Sequence, residues 1–138
     1  MGRIIAVDYG DARTGVAVSD LTCSIAGETL TIQEWNAERL AQRLAFYAKE
    51  HDAEKFVLGL PKNMNNTEGP RAEKARQFGL LLGEVSGLPV VMWDERLSTI
   101  EAHNILHAAG KNEKQHRSTV DAVAASLLLE SYLGSLKK

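Results

Sequence analysis

The chain has one cysteine, Cys23, in 138 residues, so no disulfide can form within it and its stability has to come from a packed core. No apolar run approaches the roughly 20 residues of a membrane span. The N-terminus passes from Met1, Gly2 and Arg3 directly into strand-like sequence, with no apolar segment or small-residue cleavage site for export. Together these absences point to a protein of the reducing cytoplasm that does not engage a membrane. An excess of one charge is also missing: 16 Lys and Arg stand against 18 Asp and Glu, a net charge of −2. That balance excludes a general electrostatic grip on a polyanion, because non-specific affinity for nucleic acid comes from neutralising phosphates. Any such partner has to meet a local basic patch. Basic residues do gather locally, as Arg13, then Arg71, Lys74 and Arg76, then Arg96, then Lys111, Lys114 and Arg117, although solvated helix and loop faces explain such clusters equally well.

A chain of this length buries one core rather than two, so residues 1–138 read as a single domain. There is no repeat, low-complexity stretch or linker. Residues 3–9 are a nearly continuous apolar run, as expected of a central strand covered on both faces. Gly10 and Asp11 are turn formers, and 14–19 reads as a second strand closing a hairpin. Residues 28–33 alternate, with Leu30 and Ile32 facing one way, as in an outer strand. From Ala37 to about His51 the period becomes helical. A strand over 55–60 follows, stopped by Pro61, and then a polar loop from Lys62 to Gly69. Pro70 suits the first position of a helix whose core face is Ala75, Phe78, Leu82 and Val85. Gly87 and Pro89 end it, and 90–93 is the last strand. Ser98 and Glu101 have the spacing of a capping box for a helix reaching Ala109. A charged loop from Gly110 to His116 precedes a final helix, apolar over most of its circumference from Val120 to Leu129. Three strands joined by short turns, then strands alternating with helices, predict an α/β fold. Its sheet is mixed and five-stranded, with the first three strands antiparallel and helices flanking it.

Three acids stand where carboxylates are disfavoured unless something compensates them: Asp8 ending the first strand, Glu95 just past the last, and Asp121 opening the final helix. A divalent cation is one such compensation. Mg²⁺ takes one or two carboxylates from a protein and further ligands from substrate phosphate. Two such ions about 3.5–4 Å apart clamp an in-line displacement at phosphorus. In that scheme Asp8 bridges the ions while Glu95 and Asp121 each hold one side. Each acid also has a plain explanation. Asp8 could start a turn, Asp94 and Glu95 could be a solvated strand end, and Asp121 matches a capping box with Ser118. His103 and His107, four apart, lack a third zinc ligand nearby. Cys23 reads as a small packed side chain, and Tyr9 as a core or rim tyrosine rather than a base-stacking platform.

The segments Val7-Asp8-Tyr9-Gly10, Arg13-Thr14-Gly15-Val16-Ala17-Val18-Ser19-Asp20, Gly59-Leu60-Pro61-Lys62-Asn63-Met64, Thr67-Glu68-Gly69, Asp94-Glu95-Arg96-Leu97-Ser98-Thr99 and Val120-Asp121-Ala122-Val123 resemble, in order, the YqgF (RuvX) family. Members of that family are RNase H-like nucleases related to the RuvC Holliday-junction resolvases and are assigned to 5′-end processing of pre-16S ribosomal RNA. The resemblance implies an RNase H-like fold, with Asp8, Glu95 and Asp121 as catalytic residues that bind Mg²⁺ or Mn²⁺, two ions when substrate is present. It further implies Arg13, Asn63, Arg71 and Arg96 near the substrate backbone, beside the basic Lys114 and Arg117. The partner it implies is nucleic acid, foremost a ribosomal RNA precursor, with the ribosome itself as a further one. Ala12, where relatives often carry a basic residue, and the mixed-charge stretch from Lys111 to Arg117 dilute the phosphate grip.

Three other readings stay open. Resolution of branched DNA needs a dimer, and no large apolar seam is visible, which suits a monomer or weak homodimer. The Asp8-to-Gly15 hairpin also resembles the phosphate loop of the actin and sugar-kinase ATPases, which need two such domains. A binding protein of the ribosome-assembly machinery that keeps the fold without catalysis is the last.

Overall fold

The computed structural model describes residues 2–20, 26–63, 65–94 and 113–136, with residues 26 and 113–121 described in their backbone only. β1 (Arg3–Asp8) is built on Ile4, Ile5, Ala6 and Val7, all buried, as a strand covered on both faces requires. β2 (Arg13–Ser19) returns beside it, pairing Ile5 with Val18 and Asp8 with Gly15, and β3 (Ala26–Gln33) pairs antiparallel with β2. α1 (Ala37–Glu50) starts at Asn36, whose side chain accepts from the Arg39 N–H at 2.9 Å, a cap that contributes about 1 kcal/mol. β4 (Ala53–Leu60) then runs parallel to β1, and after α2 (Pro70–Ser86), β5 (Val90–Asp94) runs parallel to β4. The last described element is α3 (Glu113–Ser135). The strand order is β3-β2-β1-β4-β5, so the strand bearing Asp8 is central and the first three strands are antiparallel, as predicted.

Alternation along the strands sorts the core into two layers. Ile5, Val7, Val16, Val18 and Ile32 face α1 and α2, meeting Leu40, Leu44, Phe78 and Leu82. Ile4, Ala6, Ala17 and Val57 share the opposite layer with Ala125, Leu128, Leu129 and Leu133 of α3. α2 lies close on the sheet because Gly79 has no side chain. A Cβ there would come within 3.2 Å of the Met92 Sδ and 3.3 Å of Leu58 Cδ2.

Two expectations are corrected. Val85 is 40% exposed rather than part of the α2 core face. The buried stripe is Ala72, Ala75, Phe78, Gly79 and Leu82, and Gly87 at φ 72° ends the helix one turn later. The final helix begins at Glu113, not after a loop reaching His116, and runs to Ser135. Glu113, Lys114 and Gln115 favour helix as strongly as they favour solvent, so a charged stretch without apolar period is still helical. Ser118 is therefore an interior helical residue, and the capping-box explanation of Asp121 falls away. The helix expected over 98–109, with His103 and His107, lies outside the described residues, as does Cys23.

Candidate nucleic-acid interface and active site

The parallel strands β1, β4 and β5 end on one edge of the sheet, at Asp8, Leu60 and Asp94, and ligands of open α/β sheets bind outside such an edge. Val7 pairs with Leu58 and Leu60 with Asp94, so the two carboxylates are separated by one intervening strand, about 10 Å across. They are not equivalent. Alternation puts Asp8 on the α3 face with Ile4 and Ala6, whereas Asp94 follows Val90 and Met92 onto the α1/α2 face. Both are half-buried.

Beside Asp8 the antiparallel register places Gly15, which contributes no side chain. Arg13 lies two residues along on that face, a diagonal neighbour of Asp8 at roughly 7–8 Å between backbones. The turn between them is tight. A Cβ on Gly10 would collide with the Arg13 carbonyl oxygen, so only glycine fits. The buried Thr14 hydroxyl brackets Gly10, accepting from its N–H at 3.4 Å and donating to its carbonyl at 3.5 Å.

Tyr9 turns to the other face and stacks flat on Phe78, with centroids 4.3 Å apart and planes 2° from parallel. One ring face is thereby occupied. Burial, reinforced by the nearby Asp11 charge and opposed by Lys74, holds its hydroxyl pKa above the usual tyrosine value. Tyr9, Gly10 and Asp11 form one wall of a hollow of about 150 Å³, and Pro61, Arg71 and Lys74 form the other. Lys74 Nζ donates to Asp11 Oδ1 at 3.4 Å. A larger cavity of about 510 Å³ lies between β3 and α1, lined by Leu30, Ile32 and Phe46, away from this edge.

The loop after β4 is tied down by its own polar groups. Asn63 donates through Nδ2 to the Thr67 hydroxyl at 3.0 Å, and through its backbone N–H to the Thr67 carbonyl at 2.9 Å. Arg76 grips both oxygens of Glu68 at 2.6 and 2.8 Å, which holds the Glu68 carboxyl below the usual range. Asn63 thus shapes the loop at this edge whatever else it contacts.

Of the residues singled out from sequence, Asp8 and Arg13 come together on one face, and Arg71 lines the hollow next to Asp8. Asn63 stands on the adjoining loop. Lys114, Arg117 and Asp121 fall on α3, of whose residues 113–121 the backbone alone is described. Glu95 and Arg96 lie outside the described residues, and among those described no group of three metal-ligating side chains forms. The donors this edge does present are carboxylate oxygens at strand ends, which match a hard cation such as Mg²⁺ or Mn²⁺ rather than a thiolate-seeking metal. Sequence reasoning missed the pairing of Asp11 with Lys74. Asp11 reads as a turn former and Lys74 as one of many basic residues, and only the spacing of Lys74 one turn after Arg71 hints at a shared face.

Residues 2–135 match the family described as "RuvX: Holliday junction resolvase". A protein of Ligilactobacillus salivarius named "Putative pre-16S rRNA nuclease" is 44% identical over 141 residues, covering 100% of this chain and 96% of that protein. A Pediococcus pentosaceus protein of the same name is 45% identical, covering 95% and 92%. Among solved structures, Thermus thermophilus RuvC in complex with a Holliday junction substrate matches with a TM-score of 0.61 at 13% identity, over 98% of both chains. The Fowlpox virus resolvase with Holliday junction DNA matches with a TM-score of 0.63 at 15% identity, over 99% of both. The two likenesses establish the resolvase-type RNase H-like fold.

Proposed function

The chain belongs to the RuvX family, and from that premise we propose that it is a hydrolase, a metal-dependent endonuclease that cleaves phosphodiester bonds in 5′-end maturation of pre-16S ribosomal RNA. It acts as one RNase H-like domain over residues 1–138, in the cytoplasm, on a ribosomal RNA precursor. The observation that carries this reading is the place of Asp8: it ends the central strand, at the edge where the parallel strands finish, on the face covered by α3.

Asp8 needs carboxylate partners, and the strand alternation argues that Asp94 is not one of them. Glu95 and Asp121 are the proposed partners. Asp121 lies one helical turn before Ala125, which is buried against the face that Asp8 shares, and it is an interior helical residue with no cap to form. Asp8, Glu95 and Asp121 would hold Mg²⁺ or Mn²⁺, which would supply positive charge for the phosphoryl group and a water of lowered pKa. The residues of the chain do the positioning. Arg13 sets a fixed cation on the face of Asp8, and Arg71 sets another on the far side of the hairpin. Arg96, Lys114 and Arg117 extend the basic track, and Asn63 holds the loop that borders it.

The test is cleavage of a 16S precursor RNA by purified protein with Mg²⁺. Asp8→Asn should reduce the cleavage rate by 10³-fold or more, an effect on the scale of losing a charge-stabilising group in a phosphoryl-transfer site, while leaving thermal stability near that of the parent. Equal rates for the two proteins defeat the proposal. The family's description as a Holliday junction resolvase favours a second substrate, the four-way DNA junction. Cleavage of a junction faster than of the precursor RNA selects that reading.

A further inference from the structure

The hollow between the β1–β2 hairpin and α2 begins at Tyr9, the residue immediately after Asp8, and its charged lining is two cations and one anion. Arg71 and Lys74 are three apart on α2 and so share a helix face. Among the described residues, the Arg71 guanidinium has no ion-pair partner. Lys74 does have one: it reaches across 63 residues of sequence to Asp11 in the hairpin loop. That pair is open to solvent, with side chains 62% and 79% exposed, and its 3.4 Å separation is long. A pair of this kind contributes little to stability, so support of the fold is a weak reason for it. The floor beneath it is rigid, because Tyr9 is stacked on Phe78. The apolar lining, Pro61 and the Tyr9 ring, suits a sugar more than a second charge.

We infer that this hollow binds a backbone phosphate of the nucleic acid, adjacent to the phosphate at Asp8. Arg71 and Lys74 hold it, and Asp11 is the counter-ion that the phosphate displaces from Lys74. The inference rests on the reading of the Asp8 edge as a nuclease site and names the part of the strand that the hairpin side grips. Ion exchange at Lys74 has a functional consequence. Asp11 competes with the substrate backbone, which weakens retention of the strand and favours release of product.

The experiment measures binding of a short labelled single-stranded RNA to the full chain in EDTA, where no cleavage competes, across a series of salt concentrations. Lys74→Gln should weaken binding roughly three- to tenfold and make the slope of log affinity against log salt shallower by about 0.7. Lys74→Arg should keep parent affinity. Asp11→Asn should tighten binding roughly two- to fivefold, the range of an exposed ion pair, and should add nothing when combined with Lys74→Gln. Both side chains are exposed, so unchanged thermal denaturation of the variants is expected. Weaker binding by Asp11→Asn, or tightening as large in the Lys74→Gln protein as in the parent, overturns the exchange while leaving the nuclease reading standing. A parent that binds RNA without salt-dependent affinity overturns both.

Discussion

At the scale of single residues, the edge of the sheet depends on side chains that are small or absent as much as on those that carry charge. Gly15 stands opposite Asp8 without a side chain, and Gly10 lets the chain reverse against the Arg13 carbonyl. Gly10→Ala drives its Cβ into the Arg13 carbonyl oxygen, a backbone atom that no rotamer change can move. Its expected cost is about 2 kcal/mol or more in urea unfolding, with cleavage lost in proportion to the displacement of Asp8. A variant as stable and active as the parent shows that the turn has slack. The place of Asp8 at the end of the central strand was legible in the sequence, because a four-residue apolar run that stops at an acid and a glycine turn reads as a buried strand and its end. Asp11 was not, since nothing local distinguishes a turn aspartate from one facing a lysine 63 residues away.

At the scale of elements, the two-residue period of the strands and the 3.6-residue period of α1 were readable, because burial on one face imposes them. The start of α3 was hidden for a physical reason. Its first turns, Glu113 to Arg117, carry no apolar stripe, and Glu, Lys and Gln serve loops and helices alike. Val85 was misread because the stripe of α2 turned to the protein passes through Leu82, Gly83 and Ser86, and Val85 stands off it. The loop between β4 and α2 is held by Glu68 and Arg76, and its behaviour with pH follows from that pair. Arg76 lowers the Glu68 carboxyl in the folded state, so the tether is complete above the ordinary glutamate pKa and is lost as pH falls through the lowered value. Glu68→Gln should speed amide exchange at Asn63 and Thr67 by no more than roughly fivefold at neutral pH. It should also abolish the acid-induced change of their NMR shifts that the parent shows. Identical titrations in parent and variant place the tether elsewhere.

At the scale of the whole molecule, one arrangement serves both stability and the site. The five-stranded sheet is buried on both faces, by α1 and α2 on one side and α3 on the other, and its central strand delivers Asp8 to the edge where β4 and β5 also end. The resolvase-type likeness extends over essentially the full chain, so the edge comes with the fold and the chemistry with the residues placed there. The central claim is that Asp8 gathers Glu95 and Asp121 into a single cation site while Asp94, on the opposite sheet face, stays out of it. A crystal structure with Mn²⁺, read at the manganese anomalous edge, tests this most directly. An anomalous peak is expected at ligand distance from the carboxylates of Asp8, Glu95 and Asp121, absent from crystals of Asp8→Asn. A peak held by Asp94 without Asp8, or unchanged by Asp8→Asn, contradicts it.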